Sequence, residues 1–174
     1  MFNRKKKEMM VYVILGFLEA GKTSLVRDLV TDDMFDGNAK TLILACEEGE
    51  EEYTQEVLEK GLAACEYIED EDSFNGKVFE KFLKKHRPDR LVIEYNGMWP
   101  VKHIPQIYDE LEDICFDSEV IFQTLAVVND ETFALYMKNM PSMMVEHFKV
   151  SQMVIINRCS LETNKRAIRG SIKA

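Results

Sequence analysis

The stretch that decides the fold is VYVILGFLEAGKTSLVRDLV, residues 11–30. It opens with five apolar residues, the composition of a buried strand. From Thr23 onward the apolar residues fall at helical spacing, so a helix restarts there. Between the two lies GFLEAGKTS, in which Gly16, Gly21, Lys22 and Thr23 satisfy G-x-x-x-x-G-K-[ST]. Each residue type has a physical reason to stand where it does. The glycines let backbone N–H groups come close to a triphosphate, and the helix start behind them favours an anion. Lys22 would reach the β- and γ-phosphates, and the Thr23 hydroxyl would hold Mg²⁺. Gly16, Glu19, Ala20, Gly21, Lys22, Thr23 and Ser24 are therefore the expected nucleotide contacts. The alternative is a glycine-rich turn with no ligand; a strand before the loop and a helix after it favour the phosphate loop.

Outward from this loop the same alternation continues. Short apolar runs at 10–15, 41–46, 90–94, 122–128 and 152–157 read as buried strands, with helical patterns at 23–29, 53–60, 74–85, 104–114 and 130–140 between them. Strand and helix in alternation predict an α/β fold, a doubly wound and mainly parallel sheet of the P-loop NTPase kind. The 174 residues, 46% of them apolar, are enough for one domain with its own core, taken as residues 1–174.

The net charge of −9 is concentrated: residues 47–72 hold twelve acids against one base, Lys60. A nucleic-acid partner would need a basic face, so none is expected. The run CEEGEEEY has a bland interpretation as a solvated face. Cys46, Cys65, Cys115 and Cys159 are scattered without close pairing, as in a reduced cytoplasmic protein. No apolar run is long enough for a membrane span. The basic and then apolar start imitates a secretory signal, but its apolar part runs into Gly-Lys-Thr instead of a cleavage site.

Two further signals sit at strand ends. In RLVIEYNGMWP an apolar strand delivers Glu94 to the sheet edge, with Gly97 three residues on. A carboxylate there can orient a metal's water shell or an attacking water, although a lone acid in this position also serves as a loop residue or helix cap. In QMVIINRCS the last strand delivers Asn157. That position commonly opens N-K-x-D in GTP-binding proteins. Arg158 can still cover a base with its stem, but Ser160 lacks the paired acceptors of the usual aspartate.

GFLEAGKTSL, VIEYNGMWP and VIINR follow the order and spacing of the CobW-like P-loop GTPases, which include the nickel-insertion GTPases of urease and hydrogenase. The chain resembles that family over roughly residues 10–160. The resemblance implies a Mg²⁺-dependent GTPase, using GTP and GDP, that activates or loads a metalloprotein client, with hydrolysis slow until a partner completes the site. Lys22, Glu94 and Glu47 would be its catalytic residues, Asn157 and Arg158 its base contacts, and Glu47 and Glu50 its switch carboxylates. A Zn²⁺ or similar divalent ion would find Cys65, Glu47 and Glu50 as ligands, while Thr23 would serve the Mg²⁺. Three departures stand out: Glu19 replaces a common glycine, the C-x-C-C metal motif is absent, and the family's second, smaller domain is expected beyond KRAIRGSIKA. A nucleotide switch without hydrolysis and an ATP-dependent small-molecule kinase are the alternative functions.

The remaining conspicuous residues have plainer expectations. His86, His103 and His147 lack ligand spacing and read as surface or satisfied histidines. Met140, Met143 and Met144 read as packing filler. Trp99 is either a partner contact or packing at the sheet edge.

Overall fold

The computed structural model describes residues 6–32, 39–47 and 52–173. In chain order its elements are β1 (Lys7–Leu15), α1 (Lys22–Thr31), β2 (Thr41–Ala45), α2 (Gln55–Lys60), β3 (Ala63–Tyr67), α3 (Gly76–His86), β4 (Arg90–Glu94), α4 (His103–Ile114), β5 (Ser118–Asn129), α5 (Asp130–Asn139), α6 (Pro141–Val150), β6 (Met153–Asn157) and α7 (Lys165–Lys173). The strands form one sheet in the order β3-β2-β4-β1-β5-β6, and every pairing is parallel. This is the doubly wound P-loop architecture that the alternation predicts.

β2 and β4 are buried along their whole length, which is why they read as unbroken apolar runs. β1 shows how one strand supplies two cores. Val11, Val13 and Leu15 point into the layer under α3 and α4, while Tyr12 and Ile14 point into the layer under α1 and α2. The helices that follow β1 and β4 thus cover opposite faces, and a crevice opens where these neighbouring strands end. A third cluster joins Phe17 to Phe133, Met144 and Ile168.

Several boundaries differ from expectation for local reasons. The predicted helix at 53–60 begins only at Gln55, because Thr54 caps it by accepting from Val57 N, leaving Tyr53 in the preceding loop. Phe74 lies outside α3; Asn75 caps that helix, and Phe74 packs edge-on against Phe79 as a hydrophobic staple. Edge strand β3 is a strand that the apolar pattern misses, since AACEY is only half buried and holds no Val, Ile or Leu. α6 starts with Pro141 in its first turn, where a missing N–H costs nothing. Trp99, partly buried, packs against Phe74 and Tyr95 at the edge of the core. Met140, Met143 and Met144 fill the third cluster as expected. Among the described residues no helix is long and apolar enough to cross a membrane.

Candidate functional site

The loop after β1 turns back on itself and feeds straight into α1. Gly21 holds φ 95°, a conformation that favours glycine, and a Cβ added there would sit 2.0 Å from the Asn157 amide nitrogen, so that side chain would have to move. α1 has no side-chain cap and no acid in its first turn, which leaves its positive end for an anion. Ser24 is half buried in that first turn. Glu19 also has a left-handed backbone, φ 60°, consistent with a position where the resemblance expects glycine. Its side chain is exposed, so its charge faces solvent.

Lys22 is 3% exposed in its side chain and ion-paired to Glu47 Oε2 at 2.5 Å. The same Nζ donates to the carbonyls of Gly16 and Phe17 at 3.0 and 3.1 Å. A buried ammonium needs such partners, and the one with full charge is the carboxylate that a phosphate could replace. Beside it, Thr23 Oγ1 donates to Glu94 Oε1 at 2.7 Å. Glu94 reaches that point because β4 pairs with β1, Glu94 standing opposite Ile14. The Tyr53 hydroxyl donates to the other carboxylate oxygen. Burial first, then the Glu94 charge, pushes the Tyr53 pKa far above the ordinary phenol value.

On the far side of the loop stand two asparagines. Asn157 Nδ2 donates to Ala20 O at 3.1 Å, and its Oδ1 accepts from Arg158 N at 2.8 Å. Asn129 Nδ2 reaches Glu19 O at 3.4 Å while Oδ1 caps α5 by accepting from Glu131 N at 3.0 Å. The Ser160 oxygen accepts from Glu162 N at 3.1 Å, so it is engaged within its own loop.

Behind the loop, a Cβ on Gly97 would fall 2.1 Å from Gly16 O. This glycine therefore lets the β4 exit lie directly on the phosphate loop. His147 of α6 lies here too, 2% exposed, its ring 5.2 Å from Phe17. Its Nε2 meets no hydrogen-bond partner among the described residues, which corrects the expectation of a surface or satisfied histidine. Burial lowers its pKa to about 4, the Lys22 charge adds to this, and a backbone hydrogen bond at Gly97 opposes it. His86 and His103 pair with Glu66 and Glu71 at 2.6 and 2.7 Å.

The predicted residues thus converge unevenly. Lys22 with Glu47 and Thr23 with Glu94 form two adjacent pairs at the start of α1, with Ala20 and Asn157 on the other side of the loop. Glu50 lies outside the described residues. Cys65 is half buried on β3, and burial raises its thiol pKa to about 12. Among the described residues no group of three or more His, Cys, Asp or Glu side chains is arranged to hold a metal ion. Thr23 and Glu94 nevertheless offer two hard oxygens side by side, a donor set that suits Mg²⁺. The sequence pattern did not point to Tyr53, Asn129 or His147. Asn129 carried a signal, being a polar residue at the end of an apolar strand like Glu94 and Asn157; Tyr53 and His147 carried none.

A family model, "CobW/HypB/UreG, nucleotide-binding domain", matches residues 10–173. The chain belongs to the CobW/HypB/UreG family. None of the curated proteins matches it. Among solved structures it is similar to the Zn(II)-bound YjiA GTPase from E. coli, with TM-score 0.68, 18% identity, and coverage of 95% of this chain and 54% of that one. The hydrogenase maturation factor HypB of Archaeoglobus fulgidus gives TM-score 0.53 and 18% identity over 95% of this chain and 70% of that one. FlhF complexed with GMPPNP and Mg²⁺ gives TM-score 0.53 and 18% identity over 98% and 63%. The chain therefore spans about half the length of YjiA. At such identities these likenesses bear on the fold.

Proposed function

We propose that this CobW/HypB/UreG domain binds a nucleoside triphosphate, GTP before ATP, and hydrolyses it in a Mg²⁺-dependent reaction. The observation that carries this is the meeting of Lys22, Thr23, Glu47 and Glu94 at the bare start of α1. Lys22 would exchange its ion pair with Glu47 for the triphosphate and stabilise the charge that develops during transfer. Thr23 and Glu94 would hold Mg²⁺, which when bound offsets phosphate charge. Glu94, or Glu47 once released from Lys22, would orient the attacking water. Asn157 braces the loop, and Arg158 would cover the base.

A guanine preference is supported by family membership and Asn157, and it is weakened by Ser160. The YjiA relative is a GTPase in its Zn(II)-bound form, and a cavity of about 420 Å³ lined in part by Glu47, Tyr67, Glu69 and Asn96 lies beside the phosphate site. Family membership is what supports a role in readying a metalloprotein client, with a divalent transition metal as cargo. Competition titrations of GTP, GDP and ATP test the base, and equal affinities defeat the guanine assignment. Phosphate release with and without candidate clients tests hydrolysis; nucleotide binding with no release under any condition replaces the enzyme by a binding switch.

A further inference from the structure

Glu94 is gripped from two sides, and only one of them belongs to the phosphate loop. Thr23 Oγ1 donates to Oε1 at 2.7 Å, and Tyr53 donates to Oε2. A carboxylate only accepts, so the phenol is the donor and the direction of the bond is fixed. Tyr53 reaches Glu94 from the segment before α2, across 41 residues of sequence. The residue is 9% exposed and belongs to the apolar cluster of Val26, Ile43, Ala45 and Val92. Such a ring leaves the hydroxyl little freedom to turn away. Glu94 is itself 3% exposed, so water offers its second oxygen little as a substitute.

Without Tyr53, Glu94 could rotate and present either oxygen, or both, to Thr23. With it, one oxygen is occupied and the other faces the Thr23 hydroxyl. Resting on the nucleotide and Mg²⁺ chemistry proposed above, we infer that Tyr53 is a positioning residue for Glu94: it fixes the carboxylate in the orientation that completes the divalent-cation oxygens of the site. A packing role alone would need the ring and not the hydroxyl. Tyr53→Phe separates the two, since it removes one oxygen and keeps the buried ring.

The test is a Mg²⁺ titration of GTP binding and of phosphate release, in the wild-type chain, Tyr53→Phe, Glu94→Ala and the double variant. In Tyr53→Phe the half-saturating Mg²⁺ concentration should rise about tenfold, the size of one hydrogen bond to a charged group. Its GTP affinity in EDTA should match wild type, which also controls for folding. In the Glu94→Ala background the same change should have no further effect, because the group it positions is gone. A Tyr53→Phe titration that superimposes on wild type overturns the inference, as does an undiminished effect in the Glu94→Ala background. A wild-type chain that binds no nucleotide at any Mg²⁺ concentration overturns the proposed function and this inference with it.

Discussion

Asn129 and Asn157 stand opposite each other in the β5–β6 register, and their side-chain amides reach two successive carbonyls of the phosphate loop, those of Glu19 and Ala20. The last two strands of the sheet therefore brace a loop that the first strand makes. Asn157→Ala should weaken nucleotide binding by about five- to tenfold, the net value of one hydrogen bond. Asn129→Ala removes a longer bond and also the α5 cap, which is worth about 1 kcal/mol of stability. Asn129→Ser can keep the cap without the reach, so it should lose nucleotide affinity while its melting temperature stays near wild type. Titration calorimetry and thermal melts of the three variants check this.

Glu47 is the charged partner of Lys22. Glu47→Gln would leave a nearly buried ammonium with two carbonyl partners and no counter-charge. The nucleotide-free protein should lose about 3 kcal/mol, at the low end for a broken buried pair because Glu47 is 13% exposed. A bound triphosphate restores the missing charge. Thermal melts should then show a larger stabilisation by saturating GTP in Glu47→Gln than in wild type; a smaller one would mean that Glu47 serves the bound state instead.

Gly97→Ala places its Cβ against backbone, 2.1 Å from Gly16 O and 2.8 Å from Gly16 C. Backbone cannot swing aside as a flexible side chain does. Either the phosphate loop or the β4 exit must shift, costing about 2 kcal/mol of stability. Nucleotide affinity should fall along with it, and urea unfolding read beside nucleotide titration would show both losses.

His147 gives the fold a pH dependence of definite sign. Its folded pKa is lowered to about 4 from an ordinary 6.5, so the native state keeps it neutral where the unfolded chain takes up a proton. Its contribution is fully present above pH 6.5 and is lost as pH falls through 4, up to about 3 kcal/mol in all. Between pH 6.5 and 5, before most carboxylates titrate, the unfolding free energy of His147→Gln should fall less steeply than that of wild type. Equal slopes would show that this imidazole is protonated in the native state too.

The parts of this site that could be read from sequence are those built from neighbours in the chain. Gly16 to Ser24 carry their chemistry in nine consecutive residues, and Glu94 and Asn157 announce themselves as polar ends of apolar strands. Tyr53 is different, because it meets Glu94 only when β2 and β4 lie side by side and bring the loop after one to the tip of the other. His147 gains its meaning from the Phe17 ring and the Gly97 backbone, contacts that no spacing rule contains. β3 stayed hidden for a simpler reason: half-buried edge strands do not need the run of branched apolar residues that marks a central one.

The place of β1 in the sheet has a consequence for the chain as it is being made. Its two partners are β4 and β5, beginning at Arg90 and Ser118, so this strand has no neighbour until much of the domain has followed. At ordinary translation speeds the interval is on the order of ten seconds. Throughout it, KEMMVYVIL is a mostly apolar segment whose backbone has no partner strand, the kind of stretch that chaperones hold and that aggregates capture. The element that carries the phosphate loop is thus the one whose maturation on the ribosome is longest delayed.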